Sequence, residues 1–138
     1  MIEYEILGEP VAQGRPRAST VNGYVQMIDP TKSRNYKEYV RLVASQYALS
    51  EPLEGPLKIR VNVYRPLLKN FSKKKAAAAE AGLLRPTTKP DIDNLVKGVK
   101  DACNKVLWRD DSQVVELKAS KFYSSRPRVE IRVEMLIT

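Results

Sequence analysis

Ile2, Tyr4 and Ile6 alternate with Glu3 and Glu5, the two-residue period of a strand buried on one side. Leu57, Ile59, Val61 and Val63 repeat that period against Lys58, Arg60 and Asn62, so the wet side of a second strand is basic. Val114, Val115 and Leu117 with their neighbours predict a third strand. Val129, Ile131, Val133 and Met135, alternating with Glu130, Arg132 and Glu134, predict a fourth. Arg15 to Thr20 and Tyr24 to Ile28 flank Val21-Asn22-Gly23, a hairpin signal because both central residues of such a turn need positive φ. Arg15 and Arg17 would sit on that hairpin.

Elsewhere the period lengthens to that of a helix. Asp29-Pro30 offers a cap and a first helical residue, after which Tyr36, Val40, Val43 and Tyr47 form a stripe read as core. Asp93 to Val106 predicts a second helix. Leu95, Val99, Ala102 and Val106 lie on one side of it, with Val96 and Cys103 at the margin. Asp93, Lys97, Lys100, Asp101 and Asn104 lie on the other. Asn70 or Ser72 can cap a short alanine-rich helix that runs through Ala79 and stops near Gly82. With no large apolar face, this insert over 72–82 reads as a peripheral excursion. Arg85-Pro86-Thr87-Thr88-Lys89-Pro90 is pushed towards extended backbone, since the residue before a proline avoids the α region. The order of elements, without internal repeats, predicts a single domain over 1–138 of the α/β (α+β) class, a small mixed sheet with helices packed on one face.

Composition narrows the chemistry. The 138 residues hold 24 Lys plus Arg against 16 Asp plus Glu, a formal +8, with no histidine and one cysteine. Without histidine there is no Ser-His-Asp or Cys-His pair, no His-ligated zinc or non-haem iron and no imidazole pH switch. Any catalysis must run on carboxylates, lysines or a bound cation. A lone Cys103 cannot form an internal disulfide, which suits a reducing compartment. No apolar run approaches the roughly 20 residues of a membrane span, and the N-terminus is acidic rather than a basic export leader. The expectation is a cytoplasmic protein with no membrane attachment.

The charge is unevenly placed. From Gly55 to Pro90 there are nine bases (Lys58, Arg60, Arg65, Lys69, Lys73, Lys74, Lys75, Arg85, Lys89) and one acid, Glu80. From Asp91 to Asp111 there are five acids and four bases. A basic surface neutralises phosphates, while a compact set of carboxylates can hold a divalent cation against one of them. The plainer account of Lys73, Lys74 and Lys75 is a solvated helix face.

Asp91 and Asp93 stand two apart where an extended segment meets a helix, so their side chains can share a side if the backbone is still extended. Equally, Asp93 can cap the helix and Asp91 favour its dipole. Asp110 and Asp111 begin a strand after the same helix and can return carboxylates to that neighbourhood, or form a polar turn. Gathered carboxylates repel one another unless a cation or lysine compensates. Mg²⁺ suits oxygen ligands and can acidify an attacking water. Lys97, one turn after Asp93, can pair with it or steady a scissile phosphate. Trp108 reads as a core anchor.

The two blocks, Asp91-Ile92-Asp93-Asn94-Leu95-Val96-Lys97 and Trp108-Arg109-Asp110-Asp111-Ser112-Gln113-Val114-Val115, with Asp101 between them, resemble the signature of the RusA family of Holliday-junction resolvases. That resemblance implies a homodimer that binds four-way junction DNA and nicks two opposing strands with Mg²⁺, Mn²⁺ being an allowed substitute, and without a nucleotide cofactor. By motif position it makes Asp91, Asp93 and Asp111 the metal-binding catalytic aspartates, with Asp110 the alternate, and Lys97 the catalytic lysine. DNA contacts are expected from Arg15, Arg17, Lys73, Lys74, Lys75, Arg85 and Lys89. The competing readings are a non-catalytic structure-selective DNA-binding module and, from charge alone, an RNA-binding protein. A pure binder gains nothing from carboxylates beside phosphates.

Overall fold

The computed structural model describes residues 1–12, 17–21, 24–28 and 31–136. In chain order the elements are β1 (Ile2–Leu7), β2 (Arg17–Val21), β3 (Tyr24–Ile28), α1 (Thr31–Ser45), β4 (Leu57–Pro66), α2 (Lys73–Glu80), α3 (Ile92–Cys103), a 3-10 turn (Asp111–Gln113), β5 (Val114–Ser124) and β6 (Arg128–Met135). The four segments of two-residue period form one mixed sheet in the order β1-β6-β4-β5, while β2 and β3 pair antiparallel as a separate two-stranded sheet. Within the larger sheet β6 runs antiparallel to both β1 and β4, and β5 runs parallel to β4. Parallel strands need a crossover, and the chain between β4 and β5 supplies it through α2 and α3. Asn22-Gly23, Asp29-Pro30, Arg15 and the side chain of Arg17 lie outside the described residues.

One face of the sheet is the core. Ile6, Leu57, Ile59, Val61, Val63, Val129, Ile131 and Val133 are buried there, together with Tyr36, Val40 and Ala44 of α1 and Leu95, Val96, Val99 and Ala102 of α3. The register explains why this face is continuous: Val61 stands opposite both Ile131 and Ala119, and Ile131 opposite Tyr4. The result is a single α+β domain with its main helices against one face of the sheet. Among the described residues no helix is long and apolar enough to cross a membrane.

Four expectations shift. The helix of the acidic motif starts at Ile92 and ends at Cys103, so Val106 falls in the loop beyond it. Val96 and Cys103 are fully part of the core, because α3 packs on α1 as well as on the sheet and its apolar stripe is correspondingly wide. Tyr47 lies past the end of α1 and is half-exposed, yet its ring stacks on Tyr4 with centroids 4.7 Å apart. The alanine-rich insert is anchored: Ala79 is buried, the Glu80 carboxylate accepts from the backbone N–H of Ser125, and Gly82 ends the helix at φ +81°. The Ser125 hydroxyl and N–H, with that of Ser124, hold the Glu80 carboxyl below its ordinary range.

Candidate active site

The chain reaches α3 through the cis Lys89-Pro90 peptide. Asp91 occupies the cap position with extended backbone (φ −68°, ψ 148°), but its carboxylate makes no capping hydrogen bond. Asp93 is therefore inside the first helical turn and does not cap it. Both carboxylates stand at the positive end of the helix dipole, where negative charge is stabilising. Across the approach, Lys121 of β5 donates from Nζ to the carbonyls of Thr88 at 3.0 Å and Pro90 at 2.9 Å.

One turn along the helix, Lys97 pairs with Asp101 Oδ2 at 3.5 Å, so its partner is the acid four residues ahead and not Asp93 four behind. Beyond the helix, Trp108 is buried and donates from Nε1 to Asp111 Oδ1 at 2.8 Å. The core-anchor reading of this residue is thus half of its role. Asp110 and Asp111 do not begin a strand but bracket the start of the 3-10 turn. Asp110 Oδ2 accepts from the Ser112 N–H at 2.9 Å, while Gln113 Oε1 accepts from the Asp110 N–H at 2.8 Å, a reciprocal capping box. The Ser112 hydroxyl and N–H hold the Asp110 carboxyl below its ordinary range. Gln113 Nε2 also donates to Leu53 O at 2.9 Å and Gly55 O at 3.1 Å, which locks the turn to the loop before β4.

These constraints place Asp93, Lys97, Lys100, Asp101 and Asp111 around one groove of ≈ 420 Å³ between α3 and β5, floored by apolar Val96, Leu117 and Ala119. Asp91 opens instead into the adjoining hollow with Lys89, Pro90 and Asn94. Three of the four motif residues therefore share a cavity and the fourth stands next door. Among the described residues no group of three or more acidic or thiol side chains is gathered closely enough to hold an ion by itself. Sequence reasoning passed over Asp101 and Lys100 as site residues, although both lie on the same polar face as Lys97. It also passed over Lys121, whose partners lie 31 and 33 residues away in the chain.

Of the expected phosphate contacts, Lys73, Lys74 and Lys75 are exposed in the first turn of α2, whose cap is Ser72: its Oγ accepts from the Lys75 N–H at 3.2 Å. Cations at the positive end of a helix dipole are mildly unfavourable unless an anion joins them. Arg85 lies over the Phe122 ring at 4.1 Å, and Phe122 in turn stacks on Tyr64 at 5.1 Å. Lys89 is exposed beside Asp91.

The sequence profile described as endodeoxyribonuclease RusA matches residues 8–134. The chain belongs to the RusA endodeoxyribonuclease family. It is 59% identical over 134 residues, 96% of this chain and 94% of the relative, to a Bacillus subtilis (strain 168) protein described as uncharacterized protein YqaN. It is 28% identical over 132 residues, 95% of this chain and 94% of the relative, to a Lactococcus phage r1t protein described as crossover junction endodeoxyribonuclease rusA. The RusA-family region takes in α3, the 3-10 turn and β5, the elements that build the groove, and leaves β1 outside it.

Proposed function

We propose that this chain is a Mg²⁺-dependent endonuclease that resolves four-way DNA junctions by paired nicks as a homodimer. The observation that carries the reading is the meeting of Asp93 and Lys97 from one motif block with Asp111 from the other in a single groove of a chain with formal +8 charge. The donors in reach are carboxylate oxygens, with no imidazole in the chain and its one thiol buried. That set fits a hard cation. Mg²⁺ commonly takes only one or two protein carboxylates, keeps several waters and completes its shell with a substrate phosphate, so a closed cage is not required.

Asp93 and Asp111 would hold the ion, with Asp91 at the edge of the site. Bound there, Mg²⁺ would supply the Lewis acidity that phosphodiester hydrolysis needs. Lys97 stands above the groove, steered by Asp101, and its ammonium is placed to meet a phosphate oxygen that enters. Trp108 fixes the direction of the Asp111 carboxylate, and Val96, Leu117 and Ala119 give the groove an apolar floor. Lys73, Lys74, Lys75, Arg85 and Lys89, with Arg15 and Arg17, would bind phosphates away from the cut.

The test is one Mg²⁺ cleavage assay on a synthetic four-way junction, a linear duplex and a structured RNA, with Asp93→Asn beside the parent protein. Cleavage is expected on the junction alone, and Asp93→Asn should bind the junction but not cut it. Junction binding without cleavage by the parent protein would instead identify a non-catalytic binder. Undiminished cutting by the variant would remove Asp93 from the mechanism.

A further inference from the structure

The outer strand of the main sheet is free along its first half. From Lys121 onward β5 is covered: Lys121 bonds the carbonyls of Thr88 and Pro90, Arg85 lies over Phe122, and Phe71 meets Tyr123 edge-on with ring centroids 5.3 Å apart. From Val114 to Ser120 no strand among the described residues pairs with its outer edge. Val115 and Leu117 are 59% and 49% exposed there, with Glu116 and Lys118 exposed beside them. An open edge with apolar side chains is a template for pairing with another chain.

Edges that stay free are blunted by lysines and bulges. β5 has one of each, Lys118 and a register shift against Leu57 and Lys58 of β4. The neighbouring charges undo the first device. Lys58 has an acid opposite it on both sides, Glu116 and Glu134, so it is matched within its own sheet. Lys118 stands opposite Arg60, a like pair, and neither Glu116 nor Lys118 makes an ion pair among the described residues. What Lys118 lacks is an acid on its open side.

The strand itself carries that acid, in self-complementary order. In an antiparallel pairing of two copies about a two-fold axis at Leu117, that residue meets its own counterpart. Lys118 then meets the partner's Glu116, and Val115 meets the partner's Ala119. The paired stretch runs from Val114 to Ser120, which is the uncovered stretch. An axis one residue to either side would set Glu116 against Glu116 or Lys118 against Lys118.

We propose that the free half of β5 is the surface on which a second copy of this chain docks, antiparallel and centred on Leu117. The inference rests on the homodimer in the junction-nuclease reading and gives it a surface. Leu117 and Ala119 also line the candidate active groove. The axis of such a pair stands perpendicular to the sheet, so the two grooves open on one face, on either side of the seam. One junction then meets two symmetry-related sites.

Sedimentation gives the dimer dissociation constant of the parent, Glu116→Lys, Lys118→Glu and the exchange Glu116→Lys/Lys118→Glu. Each single reversal sets like charges opposite one another at both ends of the seam and should weaken the dimer by about tenfold or more. The exchange restores opposite charges and should return the constant to within about threefold of the parent, which also shows that the substitutions are tolerated by the fold. Leu117→Cys should give a disulfide-linked dimer on mild oxidation, because directly opposed residues have Cα atoms about 4.5–5.5 Å apart, within disulfide reach. Val115→Cys should not, since its two copies would lie about 13 Å apart at about 3.3 Å per residue. The native Cys103 is buried and stays out of the reaction. A dimer with the same constant in all four proteins, or one that crosslinks through Val115→Cys and not Leu117→Cys, would overturn this interface and leave the nuclease reading standing. A parent that cuts junctions as a monomer would overturn the homodimer and the interface together. A dimer that follows the charge exchange but cuts no junction would support the interface and remove the nuclease reading.

Discussion

The indole of Trp108 donates to Oδ1 of Asp111 at 2.8 Å, so the one tryptophan of the chain aims an acid of the groove while filling the core with its ring. A carboxylate with one oxygen spoken for presents the other in a defined direction, and partners of this kind typically change metal affinity or activity by roughly 10- to 100-fold. Trp108→Phe keeps much of the buried bulk and removes the donor. The expected result is cleavage lower by about tenfold or more, a higher Mg²⁺ concentration for half-maximal rate, and a stability loss smaller than the roughly 3–5 kcal/mol of truncation to alanine. Junction affinity measured in Ca²⁺ should stay within about twofold of the parent, and a uniform loss of binding and cleavage would indicate a packing role alone.

Asp110 and Asp111 are neighbours with different duties. The first closes the capping box of the 3-10 turn, the second lines the groove. Asp111→Asn is expected to abolish junction cleavage with the melting temperature close to that of the parent. Asp110→Ala is expected to lower the melting temperature and retain most of the cleavage at 25 °C. The reverse pattern, measured by the same junction assay and by calorimetry, would exchange the two assignments.

The strands were legible because their signal is local. In β4 every second residue from Leu57 to Val63 is apolar, and all four of those side chains are buried. The meeting of Asp93, Lys97 and Asp111 was legible because a single helix and a short loop join the two blocks. Three features were not. Asp91 turns into a separate hollow because the backbone is already helical from Ile92, so the two-residue alternation that would put Asp91 and Asp93 on one side is lost, a matter of where the helix begins by one residue. Lys97 selects Asp101 over Asp93 because spacing of four is satisfied in both directions and only side-chain geometry decides. The docking of α2 depends on Glu80 meeting Ser124 and Ser125, 44 and 45 residues ahead, which no periodicity encodes. Val115 and Leu117 are exposed for a related reason: strand order makes β5 an edge, and nothing in its own alternation says so.

Alkaline stability follows from a buried pair. Cys103 Sγ and Tyr4 Oη are 3.2 Å apart, and burial pushes the thiol up to about 11 while the phenol is also raised. An unfolded thiol releases its proton near pH 8.5, roughly. Between about pH 8.5 and 11 the native state therefore holds a proton that the unfolded state has lost, and stability falls as pH rises, by up to about 1.4 kcal/mol per pH unit. Urea unfolding at pH 7.5 and pH 10 should show this fall in the parent protein and a shallower one in Cys103→Ala. Equal falls in both would place the alkaline sensitivity elsewhere.

Lys121 ties the outer strand to the entry of the acidic helix. Its ammonium bonds the carbonyls of Thr88 and Pro90, the latter immediately before Asp91, so it sets where the chain enters α3 and how Asp91 stands relative to Asp93. Hydrogen bonds from a charged donor contribute roughly 1.5–3 kcal/mol each when made, and a methionine of similar length offers none. Lys121→Met should therefore lower stability by about 1–3 kcal/mol and raise the Mg²⁺ concentration needed for half-maximal cleavage by about tenfold. Junction affinity in Ca²⁺ should fall by no more than about twofold, because the ammonium is turned onto backbone carbonyls and not out to solvent. Titration with Mn²⁺ followed by calorimetry gives a readout independent of turnover and should show the same weakening. Lys121→Arg, which can still donate to two carbonyls, should recover part of both effects. A variant that loses stability while its Mg²⁺ and Mn²⁺ dependence stays at the parent value would reduce Lys121 to a structural tie.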